Sequence, residues 1–265
     1  MIHNWLEKNL QYVIDIRRWL HQHPEVGFNE YETSRYCQKL MIDMGYTINQ
    51  NDKMQTGFFC DYGKGNGPVL AVRCDLDALP IKEVNTFSYC SKNIGVSHAC
   101  GHDSHMANIL GLAKYILDTQ VEIPGTIRFL FQPAEELAPG GAVLMMAAGA
   151  IDDVDHIIGG HVLPSLSSDK IGVRYGAMAA NVEKLEISLK GPGGHTSRPA
   201  ESVDLIWAQS HLVLSLEESI KHRLDHSDRV VLAFGQIEGG QTCNVLPSEI
   251  KLLGTLRYLN PDLKE

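Results

Sequence analysis

The spacing of hydrophobic and polar positions changes several times along this chain, and each change predicts a new element. Near the N-terminus apolar residues recur every three or four positions until Pro24, and a second such stretch ends at Gly45. This spacing places them on one face of an α-helix. The chain therefore opens with two predicted helices. Their apolar faces are Leu6, Leu10, Val13, Ile16 and Leu20, then Thr33, Tyr36, Cys37, Leu40, Met41 and Met44.

Short apolar runs then alternate with further helical stretches. Three strands are predicted, in PVLAVRC, TIRFLF and HIIGGHV, the first of them buried. A helix is predicted from Met106 to Leu117, with Asp103 or Ser104 as its N-cap, and another in GGAVLMMAAGA. This alternation is typical of a three-layer α/β domain, in which helices cover both faces of a mainly parallel sheet.

The pattern changes after about residue 178. Predicted strands in VEKLEISLKG, RVVLAFGQIEGG and SEIKLLGTLRYL accompany one amphipathic helix, from Val203 to Ile220. The order β-α-β-β with antiparallel neighbours is typical of a small α+β domain and does not continue the first sheet. We therefore predict two domains, residues 1–178 and residues 179–265.

The composition is that of a globular protein, with 44% hydrophobic residues in 265 and a formal net charge of −9. This charge, without any basic run, disfavours a nucleic-acid partner. The N-terminus lacks the unbroken apolar stretch of a secretory signal, and no window approaches 18 uncharged apolar residues. We therefore predict a cytoplasmic protein that is not inserted in a membrane. Its six cysteines are then expected to be thiols, and only Cys100, beside histidines, is a candidate metal ligand.

Metal-binding side chains occur at three places, each at or just after the end of a predicted strand or its loop. The places are Cys100 with His102 in HACGHDSH, Glu135 with Glu136 in FQPAEELAPGG, and His161 in GGHV. Each is a weak signal alone, because single His residues and paired Glu residues are usually packed or solvated. Together they favour a metal site, since strand ends meet at one edge of a sheet and these groups are typical metal donors.

Seven segments in this order and spacing resemble the co-catalytic metallo-amidohydrolases. This family includes aminoacylases, hippurate hydrolases, acetyl-diaminopimelate deacetylases and plant auxin-conjugate hydrolases. The resemblance covers essentially the whole chain and implies a metal-dependent enzyme that hydrolyses the amide bond of N-acyl amino acids. It also implies a catalytic domain with an inserted ferredoxin-like lid domain. The segments are RRWLHQHPEVGFNEYET, DLDALP, HACGHDSH, QPAEE, GGHV, GPGGHTSRP, and CNVLP followed by GTLR.

The resemblance implies two divalent metal ions, zinc or manganese, with cobalt and nickel as further candidates. It assigns Glu135 as the general base that activates the attacking water, and it makes Asp77 a residue that orients the ligands. Alternatively, Glu135 is a salt-bridged carboxylate and Asp77 a turn cap. Asp103 and His105 are expected to be a helix cap and a packing or orienting residue. The implied metal ligands are Cys100, His102, Glu136 and His161.

In the second domain the resemblance implies a substrate-binding lid that forms a homodimer. His195 matches a lid histidine that stabilises the oxyanion, often in the neighbouring subunit. Asn244 and Arg257 match positions that bind the substrate carboxylate, a task suited to a guanidinium group. The alternatives are a surface-loop His195 and an Arg257 that keeps an edge strand soluble.

The resemblance also predicts one more metal-ligating His after the lid, and no candidate for it follows. His211, His222 and His226 lie on or beside the predicted lid helix. We therefore expect either a fragment or a truncated product. The alternative functions are a dipeptidase or carboxypeptidase with the same site, or a non-catalytic binding homologue. A thiol enzyme built on Cys100 is a third alternative and ranks last, because no separate Cys/His/Asn arrangement accompanies it.

Overall fold

The computed structural model describes residues 2–63, 65–224 and 229–264, which form two compact units. The N-terminal unit comprises Met1–Ser165 and the C-terminal unit Leu166–Glu265. His226 lies outside the described residues. None of the helices in the described part of the chain has the length and apolar character needed to cross a membrane.

The N-terminal unit contains four helices and four strands. A short 3₁₀ turn (Asp52–Met54) precedes the first strand. The helices are α1 (Ile2–Gln22), α2 (Tyr31–Asp43), α3 (His102–Thr119) and α4 (Gly141–Ala147). The strands are β1 (Phe58–Gly63), β2 (Val69–Asp75), β3 (Thr126–Gln132) and β4 (His156–Gly159).

These strands form one sheet in the order β1-β3-β2-β4. β2 is parallel to both β3 and β4, with Asp75 opposite Gln132 at the end of the first pair. β1 is antiparallel to β3 and lies at the edge. The predicted α/β class is confirmed, with three of the four strands parallel. The sequence pattern did not predict β1, because Asp61 and Gly63 interrupt its short apolar run.

Hydrophobic clusters cover both faces of this sheet. Helices α1, α2 and α3 pack on one face, where Phe58 and Phe131 stack with ring centroids 4.4 Å apart. A smaller cluster beneath α4 and the 3₁₀ turn covers the other face and includes Ala71 and Leu130. Adjacent residues of a strand point to opposite faces, so β2 and β3 contribute to both clusters.

The predicted apolar faces of the first helices are only partly correct. In α1, Ile16 and Leu20 are buried as expected, whereas Leu6 and Leu10 are exposed. Trp5 is buried in their place and donates a hydrogen bond from Nε1 to Asp118 Oδ2 at 2.9 Å. Near the N-terminal end of α1, contact with α3 therefore decides which side chains are buried, and the regular apolar spacing does not.

The C-terminal unit contains one helix and five strands. α5 packs on β5 and β9 and begins at Asp204, whose side chain accepts a hydrogen bond from the Trp207 N–H at 2.9 Å. The longer strands form an antiparallel sheet in the order β5-β9-β7, while β6 and β8 form a separate pair. The elements are β5 (Asn181–Lys190), β6 (Gly194–His195), α5 (Leu205–Arg223), β7 (Val230–Gly239), β8 (Val245–Leu246) and β9 (Glu249–Tyr258).

Candidate metal centre

The sheet of the N-terminal unit brings the three candidate places to one edge. β2, β3 and β4 run in the same direction, so their carboxyl ends lie together. Asp77 follows β2, Glu135 and Glu136 follow β3, and His161 follows β4. Cys100 and His102 reach the same edge because α3 begins there. This is the edge at which ligands bind in open α/β sheets.

The four residues expected to bind metal come close to one another around His102. The Cys100 Sγ lies 3.3 Å from His161 Nε2, and the thiol also forms a hydrogen bond with Glu136. His102 Nε2 lies 3.9 Å from Glu136 Oε1. Donor atoms of Cys100, His102 and His161 lie within 4.8 Å of one another, and those of His102, Glu135 and Glu136 do so as well. The arrangement offers sulfur, nitrogen and oxygen donors to a cation.

His102 provides the observation that tests whether a metal fits. Its Nδ1–H donates to the Asp77 carbonyl at 2.8 Å, which leaves Nε2 as the lone-pair nitrogen. The residue is 1% exposed, and Nε2 has no hydrogen-bond partner among the described residues. A buried nitrogen without a partner is costly, and a backbone-anchored His with a free second nitrogen is typical of metal ligands. The donor set therefore fits a divalent metal.

Asp77 connects His102 to the glutamate segment. Its Oδ2 accepts the Glu136 N–H at 2.9 Å, and its Oδ1 lies 3.5 Å from His102 Nδ1. Burial raises the pKa of Asp77, but the hydrogen bonds from His102, Glu136 and Glu135 outweigh it, so the pKa is lowered. Burial lowers the pKa of His102, and the hydrogen bond and charge of Asp77 together with the charge of Asp75 raise it on balance. Asp77 thus lies where it can orient both groups.

Cys100 and Glu135 carry raised pKa values in this arrangement. Burial, followed by the hydrogen bond to Glu136 and nearby carboxylates, raises the pKa of the Cys100 thiol to about 12. Burial and the charge of Glu136 raise the pKa of Glu135. The side chain of Glu135 is 40% exposed and that of Glu136 24% exposed. Burial is the largest cause for both groups, and neighbouring carboxylates raise both pKa values further. A cation would offset that negative charge.

Asp75 is a central residue that the sequence analysis did not identify. It is buried at the end of β2 and accepts hydrogen bonds from His105 Nδ1–H and Arg73, both at 2.7 Å. Burial raises the pKa of Asp75, but the His105 hydrogen bond and the Arg73 charge lower it to about 2. His105 in turn accepts the Val162 N–H on Nε2 at 3.0 Å. Both nitrogens of His105 form hydrogen bonds, so this residue positions the loop that carries His161. The sequence signal that could have identified Asp75 is the first carboxylate of the DLDALP motif.

The expected side-chain cap of α3 is wrong. Gly101 occupies the N-cap with φ of +86°, and no side chain caps the helix. Asp103 is instead fully buried, and its Oδ2 bonds His21 Nδ1 at 2.7 Å and Arg17 Nε at 2.8 Å. These two side chains of α1 hold one oxygen of the buried carboxylate, and the other oxygen, Oδ1, accepts the adjacent Ser104 N–H at 2.9 Å.

In the C-terminal unit, the candidate substrate-binding residues are exposed. His195 Nδ1 accepts hydrogen bonds from the Ser197 N–H at 3.2 Å and from the Ser197 hydroxyl at 2.8 Å. Asn244 precedes β8, and its carbonyl accepts the Thr196 N–H at 3.1 Å, so the β6-β8 pair brings His195 and Asn244 together. Arg257 lies in the separate sheet on β9, which is the central strand. The alternative of Arg257 on an edge strand is therefore wrong.

Comparison with known proteins identifies the family. Residues 71–252 match the model of Peptidase family M20/M25/M40. The chain belongs to this family. The resemblance inferred from the sequence motifs is thereby confirmed.

Three relatives of this M20 chain illustrate the match. An N-acyl-L-amino acid amidohydrolase of Geobacillus stearothermophilus is 40% identical over 95% of this chain and 68% of its own length. An N-acetylcysteine deacetylase of Bacillus subtilis is 36% identical over 96% of this chain and 67% of its own length. The crystal structure of Bacillus subtilis YXEP, a dinuclear metal binding peptidase from the M20 family, is 34% identical with a TM-score of 0.80.

The match extends over nearly the whole of this chain but over only about two thirds of each relative. The YXEP structure aligns with 96% of this chain and 65% of its own chain, and a Synechocystis relative with 98% of this chain and 66% of its own length. The M20 chain thus spans about two thirds of the length of the curated relatives it matches.

Proposed function

We propose that this M20 chain carries the metal centre of an amidohydrolase that cleaves N-acyl amino acids into a carboxylic acid and an amino acid. The observation that carries the proposal is the buried, unpartnered Nε2 of His102, which faces sulfur, nitrogen and carboxylate donors. Two relatives named for N-acyl or N-acetyl amino acids support this substrate class.

The proposed cofactor is a pair of divalent ions, zinc or manganese, with Cys100, His102, Glu136 and His161 among the ligands. Thiolate and imidazole suit zinc, while the carboxylates also suit manganese. When bound, two such ions supply Lewis-acid activation of the amide carbonyl and of the attacking water. The dinuclear metal site named for the YXEP structure supports the number of ions.

In this proposal Glu135 moves the proton. Its carboxylate accepts a proton from the attacking water and then gives it to the leaving nitrogen of the amide. The two transfers need a group whose pKa lies nearer to the working pH than that of a solvated Glu. Burial and the neighbouring Glu136 charge raise the pKa of Glu135 in this direction. Glu135 is also only 3.9 Å from His102 Nε2, which places it beside the candidate ligands.

The proposed lid is residues 179–265, which lie within the C-terminal unit, and the proposed catalytic domain is residues 1–178. Because His195 Nδ1 accepts both hydrogen bonds from Ser197, its Nε2 carries the proton and can donate to an oxyanion. Asn244 and Arg257 would bind the substrate carboxylate, and a homodimer would form through this unit. A cytoplasmic location remains part of the same proposal.

The experiment compares Glu135→Gln with the wild-type protein after loading with zinc or manganese. Hippurate and N-acetyl amino acids serve as substrates, and metal content is measured by elemental analysis. We expect Glu135→Gln to retain metal and lose turnover by about 10²- to 10⁴-fold, the contribution of a general base. Glu122→Gln is the matched control, because Glu122 is an exposed carboxylate in a loop of the same unit.

Three results would contradict the proposal. Equal turnover of Glu135→Gln and the control would remove the assigned base. Cleavage of unblocked dipeptides in preference to their N-acetylated forms would assign the site to a dipeptidase. Absence of bound divalent metal in the wild-type protein at stoichiometric loading would favour a non-catalytic binding protein.

A further inference from the structure

Glu30 is a fully buried carboxylate that the proposed mechanism does not use. It directly precedes α2 and belongs to the N-terminal motif HPEVGFNEYET, yet its side chain forms no cap on that helix. Its exposure is 0%, and no described Lys, Arg or His forms an ion pair with it. Acidic residues are almost never fully buried without a partner. The position therefore requires an explanation beyond helix initiation.

The partners of Glu30 lie in two other segments of the N-terminal unit. Oε1 accepts the backbone N–H of Ala134 at 2.7 Å, and Oε2 accepts the hydroxyl of Thr56 at 2.7 Å. Both bonds are buried, and the bond from the Ala134 N–H is at the short end of the range for an N–H···O bond. The carboxylate thus connects the start of α2 to the segment after β3, which is 104 residues away in sequence.

Ala134 has an unusual backbone conformation and precedes the two active-site glutamates. Its φ is +43°, in the left-handed region, and the residue is 0% exposed. For a residue with a Cβ this conformation is strained and persists where the surroundings hold it. Its carbonyl accepts the Gly141 N–H at 3.0 Å, so Glu30 and the start of α4 fix Ala134 from both sides.

We propose that Glu30 is a positioning residue, which holds Ala134 in the left-handed conformation from which Glu135 and Glu136 reach the metal centre. Two buried carboxylates then fix two amides of one segment, two residues apart. Glu30 binds the Ala134 N–H, and Asp77 binds the Glu136 N–H. The effect on catalysis rests on the proposed function, whereas the effect on Ala134 does not.

The structural part is tested by NMR on the metal-free protein, with the Ala134 amide as the probe. We expect this amide to be protected from exchange in the wild type and to exchange about tenfold faster or more in Glu30→Ala, which loses a charge-assisted hydrogen bond. Ser34→Ala is the matched control. It removes a buried hydrogen bond from Ser34 to the Thr56 carbonyl in the same region and does not touch Ala134.

The catalytic part is tested with the metal-loaded protein. We expect kcat of Glu30→Ala to fall by about 10²-fold, the loss that a displacement of about 1 Å near the reacting atoms can cause, with KM nearly unchanged. Glu30→Gln keeps an oxygen acceptor and should restore most of kcat. Its Ala134 amide proton should shift upfield, because a neutral acceptor forms a weaker bond.

The outcomes separate the two proposals. Ala134 exchange and kcat in Glu30→Ala equal to those in Ser34→Ala would overturn the role of Glu30. If Glu30→Ala does not fold, an unchanged Ala134 proton shift in Glu30→Gln, or rapid exchange of Ala134 in the wild type, would overturn it equally. If exchange of the Ala134 amide responds to substitution of Glu30 but the metal-loaded protein has no hydrolase activity, the positioning role stands and the proposed function is rejected.

Discussion

The candidate residues of the two units differ in how firmly the protein holds them. In the N-terminal unit, Asp75, Asp77 and His102 are almost completely buried and bonded to one another or to shared neighbours. In the C-terminal unit, His195, Asn244 and Arg257 are all exposed. His195 bonds Ser197 two residues away, and the Asn244 carbonyl accepts the Thr196 N–H beside the β6-β8 pair. The first group is preorganised by the core, whereas the second lies on the surface of its strands and loops.

The buried and the exposed residues therefore differ in how strongly the structure alone supports a functional role for them. Burying charged and unpartnered groups is costly, so the N-terminal cluster needs a physical reason, and a metal supplies one. An exposed His or Arg costs nothing and needs no reason. Functional roles in the C-terminal unit therefore depend on family membership, whereas those in the N-terminal unit also depend on energetics.

The largest expected effect comes from removing Asp75. Asp75→Ala leaves the buried Nδ1–H of His105 without its acceptor and removes the ion pair of Arg73, and we expect the free energy of unfolding to fall by about 3–5 kcal/mol. Urea denaturation measures this. Asp43→Ala, which breaks an exposed ion pair with Lys39 on α2, should cost about 0.5 kcal/mol or less. Similar losses in both variants would mean that the core does not hold the N-terminal cluster as described.

The second largest effect is expected for substitution of Gly101. Comparison with Gly95 separates the cost of a steric clash from the cost of backbone strain. Gly101→Ala places a Cβ only 2.4 Å from Val162 Cγ2 in addition to straining a φ of +86°. Gly95→Ala has nearly the same φ, +84°, and nothing within 4 Å. We expect a loss of stability of about 1 kcal/mol for Gly95→Ala and more for Gly101→Ala. If only Gly101→Ala binds zinc more weakly, the clash with Val162 disturbs the metal centre. Equal stability and equal zinc affinity of the two variants would argue against the contact between residue 101 and Val162.

The sequence predicted the donor residues better than it predicted what holds them. Cys100, His102 and Glu136 were identifiable because their types and strand-end positions indicate metal binding. Asp75, Glu30 and His21 were not, because each has an essential partner 30 to 104 residues away, and no local pattern records such pairing. The edge strand β1 was missed for a related reason, since its pairing with β3, and not its own sequence, makes it a strand.

A smaller effect is expected from pH acting on His21. Hydrogen bonds to Asp103 and Glu83 raise the pKa of His21 against the opposing effect of burial, so its protonated form stabilises the fold. This contribution is fully present below the unfolded pKa of about 6.5 and is lost as pH rises through the raised folded pKa. The stability difference between wild type and His21→Gln should therefore shrink between pH 6 and pH 9. A difference that grows with pH would show that His21 is neutral.

The smallest effect is expected at Arg257. Arg257→Ala should change the free energy of unfolding by no more than about 0.5 kcal/mol, because the side chain is exposed. Chemical denaturation provides the measurement. A loss comparable to that of Asp75→Ala would remove the contrast between the units and make Arg257 a structural residue.

Val162 connects two of the donor-bearing loops without contributing a donor. Its N–H bonds His105, its carbonyl accepts a hydrogen bond from His161 Nδ1, and its Cγ2 lies against Gly101. The separation between the sulfur at residue 100 and the imidazole at residue 161 is therefore set by one main-chain unit and one aliphatic group. A substitution that changes the donor atom at residue 100 can therefore leave the spacing of the two loops unchanged, because Val162 sets that spacing and supplies no donor.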